Sequence, residues 1–212
     1  MKLNFICLVW FSVTNTAIWS QEAVVAVSKM NIVYVCMDNP LEIAMPNVDS
    51  KNLNVSIVEG QGELKKMGNG KYILRPTSDG YISLKIDAGD IATIKKLVVK
   101  GIPNPTPILK GCTNGIISMD LIKEVETLNC VVFSFDYKVD CKIVKYVFSY
   151  KKSINNVFLG NYTIEDNVFN KNIKAILQNL QSGDKIIFTD IKSRCPCDNE
   201  DRSIGAMSFI IN

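Results

Sequence analysis

The chain reads as mainly β, with two consecutive immunoglobulin-like β-sandwich domains, the second carrying one or two short helices. Three features predict this. Short β-rich runs bounded by turn residues recur at nearly regular spacing. Prolines alternate with other residues in VKGIPNPTP at 99–107 and divide the chain into two stretches, each large enough to fold alone. One run with clear helical periodicity, at 173–180, stands out against the β-rich background.

Pro103, Pro105 and Pro107 each lock φ, remove a backbone donor and push the preceding residue toward extended backbone. The segment 102–107 is therefore expected to be a short, stiff connector between a domain at 22–101 and a second at 108–212. The composition, 47% hydrophobic and 21% charged, is that of ordinary globular protein, and a formal net charge of +3 over 212 residues gives no basic surface of the kind nucleic acid demands.

At the start, Lys2 precedes a mostly apolar run at 5–13, followed by Thr14, Asn15, Thr16 and Ala17 and by a small residue, Ser20, before Gln21. This is the layout of a secretory signal peptide at 1–20, with cleavage after Ser20. The apolar run is too short for a permanent membrane anchor, and no other stretch approaches eighteen apolar residues. The mature chain is expected to be periplasmic or secreted, with no membrane span.

Eight strands are expected in the first domain, at 24–27, 32–35, 41–45, 53–58, 62–66, 71–75, 81–86 and 94–99. Turn signals separate them, among them Asp38-Asn39-Pro40, Gly60-Gln61-Gly62, Gly68-Asn69-Gly70 and Asp79-Gly80. In the run at 81–86, Ile82, Leu84 and Ile86 share one face and Tyr81, Ser83 and Lys85 the other, as a strand buried on one side requires. Asn69-Gly70 supplies the positive φ values of a tight hairpin turn.

The second domain is less uniform. Phe133, Phe135 and Tyr137 alternate as one strand face, and Val144, Tyr146, Phe148 and Tyr150 as another, so both sets are read as core. Further strands are expected at 157–159, 185–191 and 206–211. Ile173, Ile176, Leu177 and Leu180 stand at i, i+3, i+4 and i+7, which predicts an amphipathic helix closed by Gly183. Leu121, Ile122 and Val125 behind Ser118 suggest a second, shorter one.

Beyond the leader there are six cysteines: Cys36, Cys112, Cys130, Cys141, Cys195 and Cys197. An exported chain meets an oxidising compartment, and spacing alone leaves their connectivity open. A disulfide from the Cys195-Pro196-Cys197 loop to Cys130, Cys141 or Cys112 is the favoured reading, with buried unpaired thiols as the alternative; the lone Cys36 of the first domain is left out of these pairings. A thiolate metal site would need two further ligands beside the Cys195/Cys197 pair, and the chain has no histidine and no second close cysteine pair. No metal and no cofactor are expected.

Without histidine, the Ser-His-Asp and Cys-His arrangements and the paired-histidine zinc motifs are excluded together. The glycine pairs sit between strands as turns rather than after a strand as a phosphate loop. Adjacent acids, Glu165 with Asp166 and Asp198 with Glu200 and Asp201, lack the regular spacing of a calcium loop. A non-catalytic protein is expected.

Several longer runs carry a resemblance. Ser28 to Tyr34 (SKMNIVY), Asp38 to Pro46 (DNPLEIAMP) and Gly70 to Pro76 (GKYILRP) resemble, in order and spacing, the periplasmic C-terminal region of the GldM family, also called PorM. The stretch at 96–107 is similar to that family's interdomain linker, Gly115-Ile116-Ile117-Ser118 and Phe135-Asp136-Tyr137 to the opening of its last domain, and GDKIIFTDIK at 183–192 to its ending. The resemblance covers 23–212. It implies the third and fourth periplasmic domains of a shaft in the gliding-motility and type IX secretion machinery, which in the family dimerises and meets a periplasmic ring of partner proteins. The family's transmembrane helix and two upstream domains have no counterpart in these residues, so the motor role is not carried across. The Cys195-Pro196-Cys197-Asp198 loop also departs from the usually glycine-rich family loop.

The expectation is thus an exported, non-catalytic module for protein–protein contact, its partner a periplasmic ring or envelope component, with monomer and dimer both open. The competing class is a cell-surface carbohydrate or ligand binder. It is disfavoured because Trp10 and Trp19 both fall in the leader, leaving no tryptophan for a sugar platform.

Overall fold

The computed structural model describes residues 24–27 (backbone only), 31–154 and 157–212. The expected signal peptide lies outside the described residues. The first unit contains β1 (Val24–Val27), β2 (Ile32–Tyr34), β3 (Asn39–Ala44), β4 (Asn54–Glu59), β5 (Gly62–Gly68), β6 (Lys71–Pro76), β7 (Gly80–Ala88) and β8 (Ile91–Lys100). They form two four-stranded sheets, ordered β1-β3-β6-β5 and β2-β8-β7-β4. Period-two alternation directs Leu41, Ile43, Tyr72 and Leu74 from one sheet and Ile82, Leu84, Ile86, Leu97 and Val99 from the other into a shared core.

Between β5 and β6 the positive φ falls on Gly70 alone (69°), not on Asn69 as well. A bulge between Lys66 and Gly68 explains the difference: it suits a type I turn completed by one left-handed glycine. The Gly70 carbonyl also accepts from Ile43 N–H (2.8 Å), and a Cβ there would stand 2.7 Å from the Ile43 carbonyl oxygen.

In the second unit, β9 (Thr106–Ile108) pairs antiparallel with β11 (Asn129–Val131) as a small ribbon. The main sheet is ordered β10 (Gly115–Ile117), β16 (Met207–Ile211), β14 (Lys185–Arg194), β12 (Lys142–Lys151), β13 (Phe158–Ile164), with β15 (Arg202–Ser203) beside β14. Helices α1 (Met119–Lys123) and α2 (Lys171–Gln178) bury Ile122, Ile173 and Leu177 in the same core as Tyr146, Phe148, Phe188 and Phe209 of the sheet. Each helix begins as its sequence dictates. Ser118 accepts from Leu121 N–H (3.3 Å) and Asn170 from Ile173 N–H (3.0 Å). The longer helix stops at Gln178, short of Gly183, which instead turns the chain (φ 86°) and donates to the Ile211 carbonyl.

One expected strand is absent. Residues 132–141 form an irregular loop, because Ser134 takes a φ of 53° and interrupts the ladder. Phe133 is exposed, and Phe135 and Tyr137 leave the second core for the surface of the first unit.

The candidate functional site is the junction of the two units

Asn39, fully buried at the start of β3, is the hub on the first unit's side. Its Oδ1 accepts from Tyr34 N–H (2.8 Å) and from the Tyr137 hydroxyl of the second unit (3.1 Å). Its amide donates to the carbonyls of Tyr34, Met37 and Leu74 (2.9, 2.9 and 3.1 Å). Every hydrogen-bonding direction of the side chain is used. Beside it, the Tyr34 ring meets Phe135 and Tyr137 edge-on at 4.7 and 5.4 Å, the geometry that aromatic quadrupoles favour.

The turn after β2 carries Cys36, whose N–H donates to the Pro76 carbonyl (2.7 Å), while Val35 N–H donates to Lys100 O (3.0 Å) where the linker departs. Cys36 is disulfide-bonded to Cys197 across the junction, and Cys141 to Cys195 within the second unit. The reading that left Cys36 outside the pairings is thereby corrected. Cys112 and Cys130 are free thiols. The Cys130 thiol donates to the Cys141 carbonyl (3.3 Å), and burial, aided by the Asp140 charge, pushes its pKa up to about 11.

The cysteine loop is held by Asp198 and Arg202. The guanidinium binds the carboxylate at both oxygens (Nε–Oδ2 2.7 Å, Nη2–Oδ1 2.6 Å), and Oδ2 also accepts from Cys195 N–H (2.8 Å). The remaining Arg202 nitrogen donates to the carbonyl of Ile102 in the linker (2.7 Å). Burial alone would raise the Asp198 pKa; the Arg202 and Cys195 hydrogen bonds and the Arg202 and Arg194 charges outweigh it and hold the carboxyl below its ordinary value. Ile102, Cys36 and Cys195 are buried here, yet none belongs to either unit's core.

Of the acidic residues weighed as chemical groups, Glu165, Asp166, Asp198 and Asp201 are engaged by neighbouring groups in this fold. Glu165 pairs with Lys145 (3.2 Å) and Asp201 with Arg194 (2.6 Å), while Asp166 accepts from Asn167 N–H (2.6 Å). Among the described residues no group of three or more Cys, Asp or Glu is placed to hold a metal ion. The arrangement can fix two units in one geometry; it offers no nucleophile–base pair.

Sequence reasoning missed Tyr34, Asn39 and Arg202, and it misplaced Cys36. A parity signal was present: one cysteine in the first domain and five in the second cannot all pair without one bond crossing the boundary.

No curated protein matches the chain. Among solved structures, it is similar to domains 4 and 5 of the S-layer protein SbsC (TM-score 0.33, 10% identity, covering 90% of this chain and 97% of that one). It is also similar to the first two domains, EC1-2, of human protocadherin-24 (TM-score 0.31, 10% identity, 90% and 97% covered) and to titin domains A168–A170 (0.30, 9%, 90% and 64%). The model of the GldM third domain matches residues 22–98 and that of the GldM C-terminal domain matches 103–212. With both matches consecutive and together spanning most of the chain, it belongs to the GldM family, of which it carries the third and C-terminal domains in their family order.

Proposed function

We propose that this chain is an exported, non-catalytic protein-contact module that serves gliding motility and type IX secretion as an accessory or structural component. Family membership supports a component of that machinery. The carrying observation is the junction: its buried groups are spent on holding the two GldM-type domains together, as suits a part that presents surfaces in a defined relation. The domains are taken to divide at the proline-rich segment 102–107, between 22–101 and 108–212, although its last residues, Thr106 and Pro107, already pair with β11 of the second unit as part of β9. The expected partner is a protein of the periplasmic ring or envelope. Among the described residues no helix is long and apolar enough to cross a membrane.

The test is quantitative affinity capture, with the mature chain as bait, from the detergent-solubilised envelope of the native cell. Selective enrichment of secretion or gliding components over a reduced and alkylated bait supports the reading. Enrichment of glycan, or of none of those components, overturns it.

A further inference from the structure

We propose that the Cys36–Cys197 disulfide is a reducible latch: oxidised, it locks the two domains into one rigid body, and opened by a dithiol it frees them to hinge about the linker. This goes beyond the contact function above and does not depend on the partner's identity.

The argument begins with how little else spans the junction. Among the described residues, no strand or helix of one unit packs broadly on a strand or helix of the other. They meet through the turn after β2, the loop 132–141, the linker and the cysteine loop. Two bodies joined by a single strand of chain, even a stiff one, can rotate about the bonds at its ends; a second covalent tether leaves only a hinge about the line between the tethers. Here the first tether is the linker and the second is Cys36–Cys197. The packing of Phe135 and Tyr137 on Tyr34 then opposes that residual hinge. Remove the second tether and the angle is left to non-covalent contacts, among them the rings and the Tyr137–Asn39 hydrogen bond, against water at a polar, loop-built seam.

The loop is built to bear load at both ends. Cys195, two residues from Cys197, is bonded to Cys141 at the start of the long strand β12, so tension on Cys197 passes into the main sheet. The Asp198–Arg202 pair ties the same loop to the linker carbonyl of Ile102. One cluster therefore grips both connections between the domains.

Access separates the two disulfides. Cys197 is exposed and Cys36 buried, whereas Cys195 is only 4% exposed. A dithiol's thiolate can reach the Cys197 sulfur, forming a mixed disulfide and expelling Cys36 as a thiolate; the dithiol's second thiol then releases Cys197. The dithiol gives up two electrons and two protons and becomes a disulfide, and Cys36 and Cys197 become thiols. In Cys141–Cys195 neither residue is exposed, Cys195 being buried and Cys141 half-buried, so the same attack meets a more hindered target; the neighbouring Cys130, held as a protonated thiol by its burial, does not open it from inside.

The experiment uses the mature chain with non-cysteine spin labels introduced at Lys65 and Lys171, both exposed and one in each domain. Dithiothreitol is titrated in while free thiols are mapped by alkylation and mass spectrometry and the interlabel distance distribution is recorded. The expected result is that Cys36 and Cys197 become alkylated at a reductant concentration at least ten-fold below that needed for Cys141 and Cys195, and that over this range the distribution at least doubles in width. Cys36→Ser should give the broad distribution without reductant. Should that variant fail to fold, the wild-type titration still decides. An unchanged distribution once Cys36–Cys197 is quantitatively open, or opening of Cys141–Cys195 first, overturns the proposal.

Discussion

The side chains that matter most here are polar groups buried with every partner in place, and their removal is costly because the partners remain. Asn39→Ala would strand the Tyr34 N–H and the Leu74 carbonyl away from their partner, so a loss of about 3 kcal/mol is expected, measured by urea unfolding of the protein. At Asp198 the sign of the pH dependence follows from its lowered pKa. The folded carboxyl ionises more readily than the unfolded one, so its contribution is complete above the ordinary value of 3.8 and is lost as pH falls through the lower folded value. Asp198→Asn should lower stability by on the order of 3 kcal/mol at neutral pH, since Arg202 loses its charge partner, and the gap to wild type should narrow progressively in thermal melts taken at pH values descending below 3.8. The Tyr146 hydroxyl behaves oppositely. It is buried with no partner, so Tyr146→Phe should leave stability unchanged or raise it by about 1 kcal/mol in the same unfolding assay.

At the scale of the element, local rules place most starts, stops and faces. Removing the cap of α2 with Asn170→Ala should cost about 1 kcal/mol and lower the helical circular dichroism signal. The eight strands of the first unit fall close to where alternation and turn residues put them; in β3 and β6 every second residue is buried, and that requirement is written into the sequence. The same rule misled at Phe133, Phe135 and Tyr137. Alternating aromatics have the pattern of a strand whether the surface they cover belongs to their own sheet or to a neighbouring domain; here two of them cover Tyr34 and the third lies exposed. Likewise Gly183 carries a real stop signal, but the chain had already left the helix at Gln178. The buried Asp184 carboxylate, accepting from Ser153 and Gln181 N–H and from Lys152, holds the turn that follows.

For the whole molecule, the crossing disulfide changes what reduction should do. With the inner Cys141–Cys195 bond closed, Cys36–Cys197 completes a loop on the order of a hundred residues, for which chain entropy gives about 4 to 5 kcal/mol. Differential scanning calorimetry with and without reductant should therefore show both domains melting lower when reduced, whereas an unpaired Cys36 would have left the first domain unmoved. Trypsin should cut at Lys100 or Lys110, beside the linker, and the two fragments should separate on a gel only after reduction.

What the sequence determined by itself is whatever depends on neighbours along the chain: the mainly β class, the strand spacing, the helix starts and the family likeness carried by contiguous runs. Composition also bounded the chemistry, since a chain without histidine has few routes to an acid–base site. Only the tertiary structure decided which cysteines meet, that Asn39 and Tyr34 face Tyr137 and Phe135, and that Arg202 reaches back to Ile102. These contacts join residues tens to more than a hundred positions apart. No local periodicity encodes such a pairing; it exists only once two separately buried cores have fixed where their loops stand.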